Sequence, residues 1–167
     1  MLFHLNLLHL LLALAAAGCV RLALREIAGR SMSPSRLAAL PLLATAMTFG
    51  FFLFYAASHE PTWLFGAVLL IGLGVGGARG FSMTLRFDHM WRLVRPSRHR
   101  VLLWVTLLLP AAVVLEAGGA MMGASFAGKL LCPAAALLAA LSTGALAGHA
   151  LAVSTRLSRT PHVPLRR

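Results

Sequence analysis

The sequence predicts an all-α polytopic membrane protein: five transmembrane helices, the N-terminus outside and the C-terminus cytoplasmic, with a short cytoplasmic β-hairpin or extended insert between the third and fourth helices. Three observations predict this class. Of the 167 residues, 59% are hydrophobic and 11% are charged, where a soluble domain carries about 25% charged residues to cover its surface. The apolar residues gather into five runs near the ~20 residues that cross hydrocarbon. The basic residues stand between or after those runs on alternate sides, as they do when arginine controls topology.

The first run, about 2–20, ends at Arg21 and Arg25. The second, 37–57, is entered through Ser33-Pro34-Ser35-Arg36 and stops at Ser58-His59-Glu60-Pro61. The third, 62–78, is closed by Arg79. The fourth, 101–122, contains Glu116. A small-residue turn from Gly123 to Lys129 leads into the fifth, 130–153. Residues 1–153 are expected to form a single transmembrane bundle, 79–100 a basic cytoplasmic insert, and 154–167 a flexible basic cytoplasmic tail.

Orientation follows from the charges, which sum to +11. Segment 21–36 holds four arginines and one glutamate, 79–100 holds six arginines and one aspartate, and the tail holds four arginines. Lys129 and Glu60 stand on the opposite side. Short loops so biased set the arginine-rich side inward. Basic residues parcelled between spans make no nucleic-acid surface. The expected partners are the lipid bilayer, anionic lipid headgroups on the cytoplasmic side, and a second copy of the chain or a larger membrane complex.

A different start is written in Ala16-Ala17-Gly18-Cys19, which is similar to the end of a lipoprotein signal and would leave four spans. No Lys or Arg precedes it, although a signal peptide needs a basic n-region. Arg21 and Arg25 follow at once, as they do where a helix reaches the cytoplasm. The first run is therefore read as a retained span. Cys19 and Cys132 are the two cysteines. They fall near opposite faces of this topology, too far apart to bridge, and read as small apolar fillers.

Helices in lipid gain little from burying leucine against leucine; they associate through close backbone approach and polar contacts. In the third run Gly72, Gly76 and Gly80 recur every four residues and share one helical face. In the fifth, Ala136, Ala140, Gly144, Gly148 and Ala152 form a longer ladder. Each face is expected to lie against another helix of this chain or of a second copy. Phe49, Phe51, Phe52, Phe54 and Tyr55, followed by Trp63 and Phe65, read as an aromatic belt at the outer interface. Within the insert, Phe81, Met83, Leu85 and Phe87 alternate with Ser82, Thr84, Arg86 and Asp88, the period of a strand. Met90 to Val94 would pair with it and rest an apolar face on helix ends or lipid; the rival reading is a continuation of the third helix past Arg79.

Glu116 is the acidic residue set well inside an apolar run, about 9 Å below the outer end of its helix at 1.5 Å per residue. A carboxylate there needs a partner, water or a proton. His9 lies at a comparable depth in the first run, so Glu116 and His9 are the candidate intramembrane polar site, available for proton transfer, as a metal ligand pair, or for a small polar ligand. The plainer reading has Glu116 bonding locally or reaching the outer headgroups. No local spacing builds a metal site: His4 and His9 are five apart, and neither Cys-x-x-Cys nor His-x-x-x-His occurs. The glycine-rich stretch 74–80 ends a span and lacks the Lys-Ser/Thr of a phosphate loop. No catalytic residue is assigned, no cofactor is identified, and the question of an enzymatic activity stays open. Arg79, Arg86, Arg92 and Arg95 are the candidate contacts to lipid headgroups or to an acidic partner surface.

The glycine-rich third helix running into Arg79, then Arg86 and Asp88 in a short extended insert, then Arg95-Pro96-Ser97 before the next apolar run, resembles small five-span bacterial inner-membrane proteins of unknown function. These are distantly similar to the CcdC family linked with cytochrome c biogenesis. Where relatives show Pro-Gly-Ser, this chain has Pro96-Ser97 without the glycine. The resemblance covers roughly 20–155 and implies a bacterial inner-membrane setting and a five-span fold; it transfers no catalytic residue. The leading functional expectation is a non-enzymatic structural or accessory subunit that packs with itself or with a larger complex. The alternatives are a small transporter or export component using Glu116, or a redox or cytochrome-biogenesis accessory.

Overall fold

The computed structural model describes residues 7–27, 34–57, 61–82, 85–88, 93–96, 100–122 and 125–159. Their helices are α1 (Leu7–Ile27), α2 (Pro34–Ala57), α3 (Thr62–Ser82), α4 (Arg100–Met122) and α5 (Phe126–Arg159). Between α3 and α4 run two short segments, β1 (Leu85–Asp88) and β2 (Leu93–Pro96). They pair antiparallel, Leu85 opposite Pro96, Arg86 opposite Arg95, Phe87 opposite Val94 and Asp88 opposite Leu93. No sheet contributes a layer to the bundle, which is helical throughout.

The chain is a multi-pass membrane protein, but the expectation of five spans is corrected. Among the described residues, three helices are long and apolar enough to cross a membrane: Thr62–Ser82, Leu103–Met122 and Phe126–Arg156. In one of the other two helices, charge enters the apolar run. In α1 the unbroken apolar stretch stops at Val20, and Arg21, Arg25 and Glu26 ride in the same helix. In α2, Ala39–Leu53 is the apolar stretch among the described residues. Among the described residues the fold is a five-helix bundle with three long apolar spans, and α1 and α2 pack beside them.

Contacts between helices settle their directions. A side chain added at Gly50 would meet Leu12, and one at Gly18 would meet Leu43, so α1 and α2 are antiparallel. Thr143 on α5 donates to the Ala44 carbonyl at 3.2 Å, and Thr48 donates to the Ala139 carbonyl at 3.3 Å, so α2 and α5 are antiparallel. A turn from Met122 to Phe126 folds α4 back on α5, and Gly119 faces Cys132. Gly72 faces Leu141 and Ala145, whereas Gly80 faces His149 and Ala152. That order makes α3 and α5 parallel. Helix α5, with 34 residues the longest, is the hub: α2, α3 and α4 all pack on it, and α1 closes the far side against α2 and α4.

Two devices hold the bundle. The first is backbone contact between α3 and α5. Methyl groups placed on Gly72, Gly76, Gly144 or Gly148 would fall on backbone atoms of the opposite helix, the Leu141, Ala145, Leu69 and Leu73 carbonyl oxygens respectively. Approach this close multiplies dispersion contacts where lipid offers no hydrophobic drive between helices. The second is a polar clasp between α2 and α5. The Thr48 and Thr143 hydroxyls lie 2.6 Å apart, both buried, and each also reaches a carbonyl of the facing helix. An interhelical bond of this kind contributes about 0.6 kcal/mol on average.

Two local expectations change. The alternation beginning at Phe81 does not start a strand there: α3 runs on through Ser82. Gly80 is packed on Ala152, the Arg156 guanidinium donates to the Gly80 carbonyl at 3.1 Å, and Ser82 donates to the Arg79 carbonyl at 2.9 Å. Those bonds occupy backbone groups that a strand would need to leave. The aromatic belt is also divided. Phe49 and Trp63 are exposed, but Phe51, Tyr55 and Phe65 are buried. Residues two apart on a helix point about 200° apart, so Phe49 and Phe51 cannot both face lipid. Phe65 instead stacks obliquely on Phe52 and Tyr55, with ring centroids 5.1 and 5.6 Å away, and Tyr55 donates to the Pro61 carbonyl across the α2–α3 turn.

Candidate functional site, a buried carboxyl near one end of the bundle

The site grows out of the seam between α1 and α4. On α1 the buried positions are His9, Leu12, Ala16, Cys19 and Ala23; on α4 they are Thr106, Leu109, Ala112, Glu116 and Gly119. Steps of three and four keep each set on one stripe. The two helices run in opposite directions and pack on each other. The level of each residue follows from the neighbours already named. Leu12 stands at the level of Gly50, Thr48 at that of residues 139–143, and Cys132 at that of Gly119. Carried round the bundle, these put Leu12 level with Ala112 and His9 level with Glu116.

Glu116 is 4% exposed and His9 is 7% exposed. The carboxyl therefore turns into the protein and does not reach out to headgroups. The Cys132 thiol of α5 hydrogen-bonds to it, while Glu116 Oε2 has no hydrogen-bond partner. Gly119 makes the approach of Cys132 feasible: a methyl there would lie 2.7 Å from Cys132 Sγ and 3.2 Å from Leu131 Cβ. A carboxyl and a thiol from two helices thus meet, and an imidazole on a third helix stands at the same level.

Cysteine 132 was the member not read from the sequence, where it passes for an apolar filler. A signal existed. Glu116 and Cys132 lie equally far in sequence from the facing ends of α4 and α5, and a helical hairpin brings such residues level. No group of three His, Cys, Asp or Glu residues among the described ones could hold a metal ion.

No protein-family model, curated protein or solved structure matches the chain. Its function rests on its own residues. Of the remaining candidates, Gly72, Gly76 and Gly80 meet Gly144, Gly148 and their neighbours on α5, and Ala140 is fully buried in the core beside them. Arg79 is exposed near the C-terminal end of α3. Arg86 and Arg95 occupy opposite positions of the short ladder. Arg92 lies outside the described residues, as do His4, His59, Glu60, His89, Trp91, His99 and His162.

Proposed function

We propose that this chain is a non-enzymatic structural or accessory subunit of a bacterial inner membrane, packing through the outward face of α3 with a second copy of itself or with a larger complex. One observation carries the reading. Helix α3 joins the bundle almost wholly through α5, and its glycine face is consumed there. Its opposite face holds Gly66 and Gly74 with open space around them, beside exposed Leu70, Ile71 and Val75. Small residues flanked by large apolar ones admit the close approach of another membrane helix. The CcdC resemblance belongs to the same proposal, as a setting near cytochrome c biogenesis with no cofactor or catalytic residue assigned.

The experiment is cross-linking of a Gly74→Cys variant, with Cys19 and Cys132 replaced by serine, in native membranes before purification in mild detergent. A disulfide-linked dimer or a reproducible covalent partner is expected. A strictly monomeric species with no recurrent adduct sinks the reading.

The proposal includes a sidedness. Two helices, α4 and α5, separate the insert from the tail, so both basic segments fall on one side, and arginine bias makes it the cytoplasmic one. There Arg79, Arg86, Arg92 and Arg95 meet anionic headgroups. Lys129 and Ser154, both exposed on α5, are about 37 Å apart along the helix at 1.5 Å per residue. With the native cysteines removed, Lys129→Cys should react with an impermeant maleimide from outside intact cells, and Ser154→Cys only after permeabilisation. The reverse pattern would invert the assignment.

A further inference from the structure

The geometry points to Glu116 as a proton-binding site of the membrane interior, enclosed by α1, α4 and α5 about two turns below one end of the bundle. Glu116 is buried within the protein, and one of its two oxygens has no hydrogen-bond partner. A carboxyl with a purely structural task is expected to have its oxygens satisfied, because a buried acceptor left bare is costly. An intramembrane acid in this condition marks a site that takes up something from outside.

The surroundings select what that is. The titratable group that faces Glu116 is the Cys132 thiol from α5; the His9 imidazole is buried at the same level on α1, and Lys129 is exposed in the first turn of α5. An alkali or alkaline-earth cation asks for a shell of oxygen ligands. The neighbour this level sets against the single carboxyl is a sulfur, and the described hydroxyls of Thr48 and Thr143 are engaged further along α5. Soft or borderline metals would accept sulfur and nitrogen, but the described side chains form no group able to hold one. A proton needs one oxygen and no shell. Binding is the addition of H⁺ from water to a Glu116 carboxylate oxygen, giving the neutral acid; release returns the same proton to water. The Cys132 thiol keeps its own proton and positions the carboxyl by donating to it.

This goes beyond the accessory reading and does not depend on it. The test is infrared spectroscopy of the full chain in lipid nanodiscs, taken as wild type minus Glu116→Gln, in H₂O and D₂O and across a pH series. The C=O stretch of a neutral carboxylic acid should appear in the difference spectrum, shift on deuteration, and give way reversibly to carboxylate bands as pH rises. Glu116→Asp should move the band without removing it; if Glu116→Gln does not fold, wild type minus Glu116→Asp supplies the assignment. A carboxylate spectrum at every pH would overturn the proposal, because the acid would then be permanently charged and paired. So would a neutral-acid band indifferent to both pH and D₂O, which would mark a sealed group. Loss of the band on adding sodium, with choline at equal ionic strength inert, would replace the proton with a metal cation.

Discussion

Replacing Gly76 by alanine is expected to destabilise the bundle by about 2 kcal/mol or more, the range of overpacking without relief, and Gly76→Ile is expected to detach α3 from α5. The added methyl would fall on the Ala145 carbonyl, with the Ala145 Cα 2.7 Å away. These are backbone atoms, which no rotamer change can move aside, so the helices must separate. Separation also exposes the facing Gly144 and Gly148, which have no side chains to refill the gap. The comparison is Gly74→Ala, on the same helix but with nothing near the new Cβ; its effect on the isolated chain should stay within about 0.5 kcal/mol. Unfolding of each variant in bicelles by steric trapping measures both. Equal effects at the two glycines would mean that the parallel α3–α5 contact does not hold the fold.

Truncating Phe51 to alanine should cost about 3–5 kcal/mol, the usual loss for a fully enclosed aromatic ring. Phe51 is 0% exposed, on the helix that lies between α1 and α5. Lipid cannot flow into a cavity sealed by three helices, so the lining loses its dispersion partners outright. Phe49, two residues earlier and 64% exposed, is the control. Its ring faces the acyl chains, which close over an alanine at little cost, and Phe49→Ala should fall within about 0.5 kcal/mol of wild type. The same unfolding assay separates the two. A small effect at Phe51 would place it outside the packed core.

Much of the membrane character is legible in composition and in the placement of arginines, because hydrocarbon tolerates neither exposed backbone nor unpaired charge. Periodicity alone sets Gly72, Gly76 and Gly80 on one face. What spacing cannot convey is that this face meets α5, and does so in parallel, since that depends on which helices the intervening turns return to the same place. The described residues hold three long apolar spans where composition predicts five. In α1 an arginine inside the helix shortens the apolar length without ending the helix. Glu116 announces itself as an acid in an apolar run. Cys132 does not, because a thiol looks like a small hydrophobe until a carboxyl is beside it. The continuation of α3 to Ser82 was masked by residues that alternate like a strand while Arg156, far along the chain, holds the backbone helical.

The dependence of α3 on α5 has a consequence for biosynthesis. Chains emerge N-terminal end first, so α3 enters the bilayer before α4 and well before its one substantial neighbour exists. During that interval acyl chains must fill the glycine groove that α5 later occupies. They must leave again when the last helix arrives, sliding in alongside rather than hairpinning back. This joint therefore waits for α5, and a ribosome that stopped after α4 would release a product in which it had never been made.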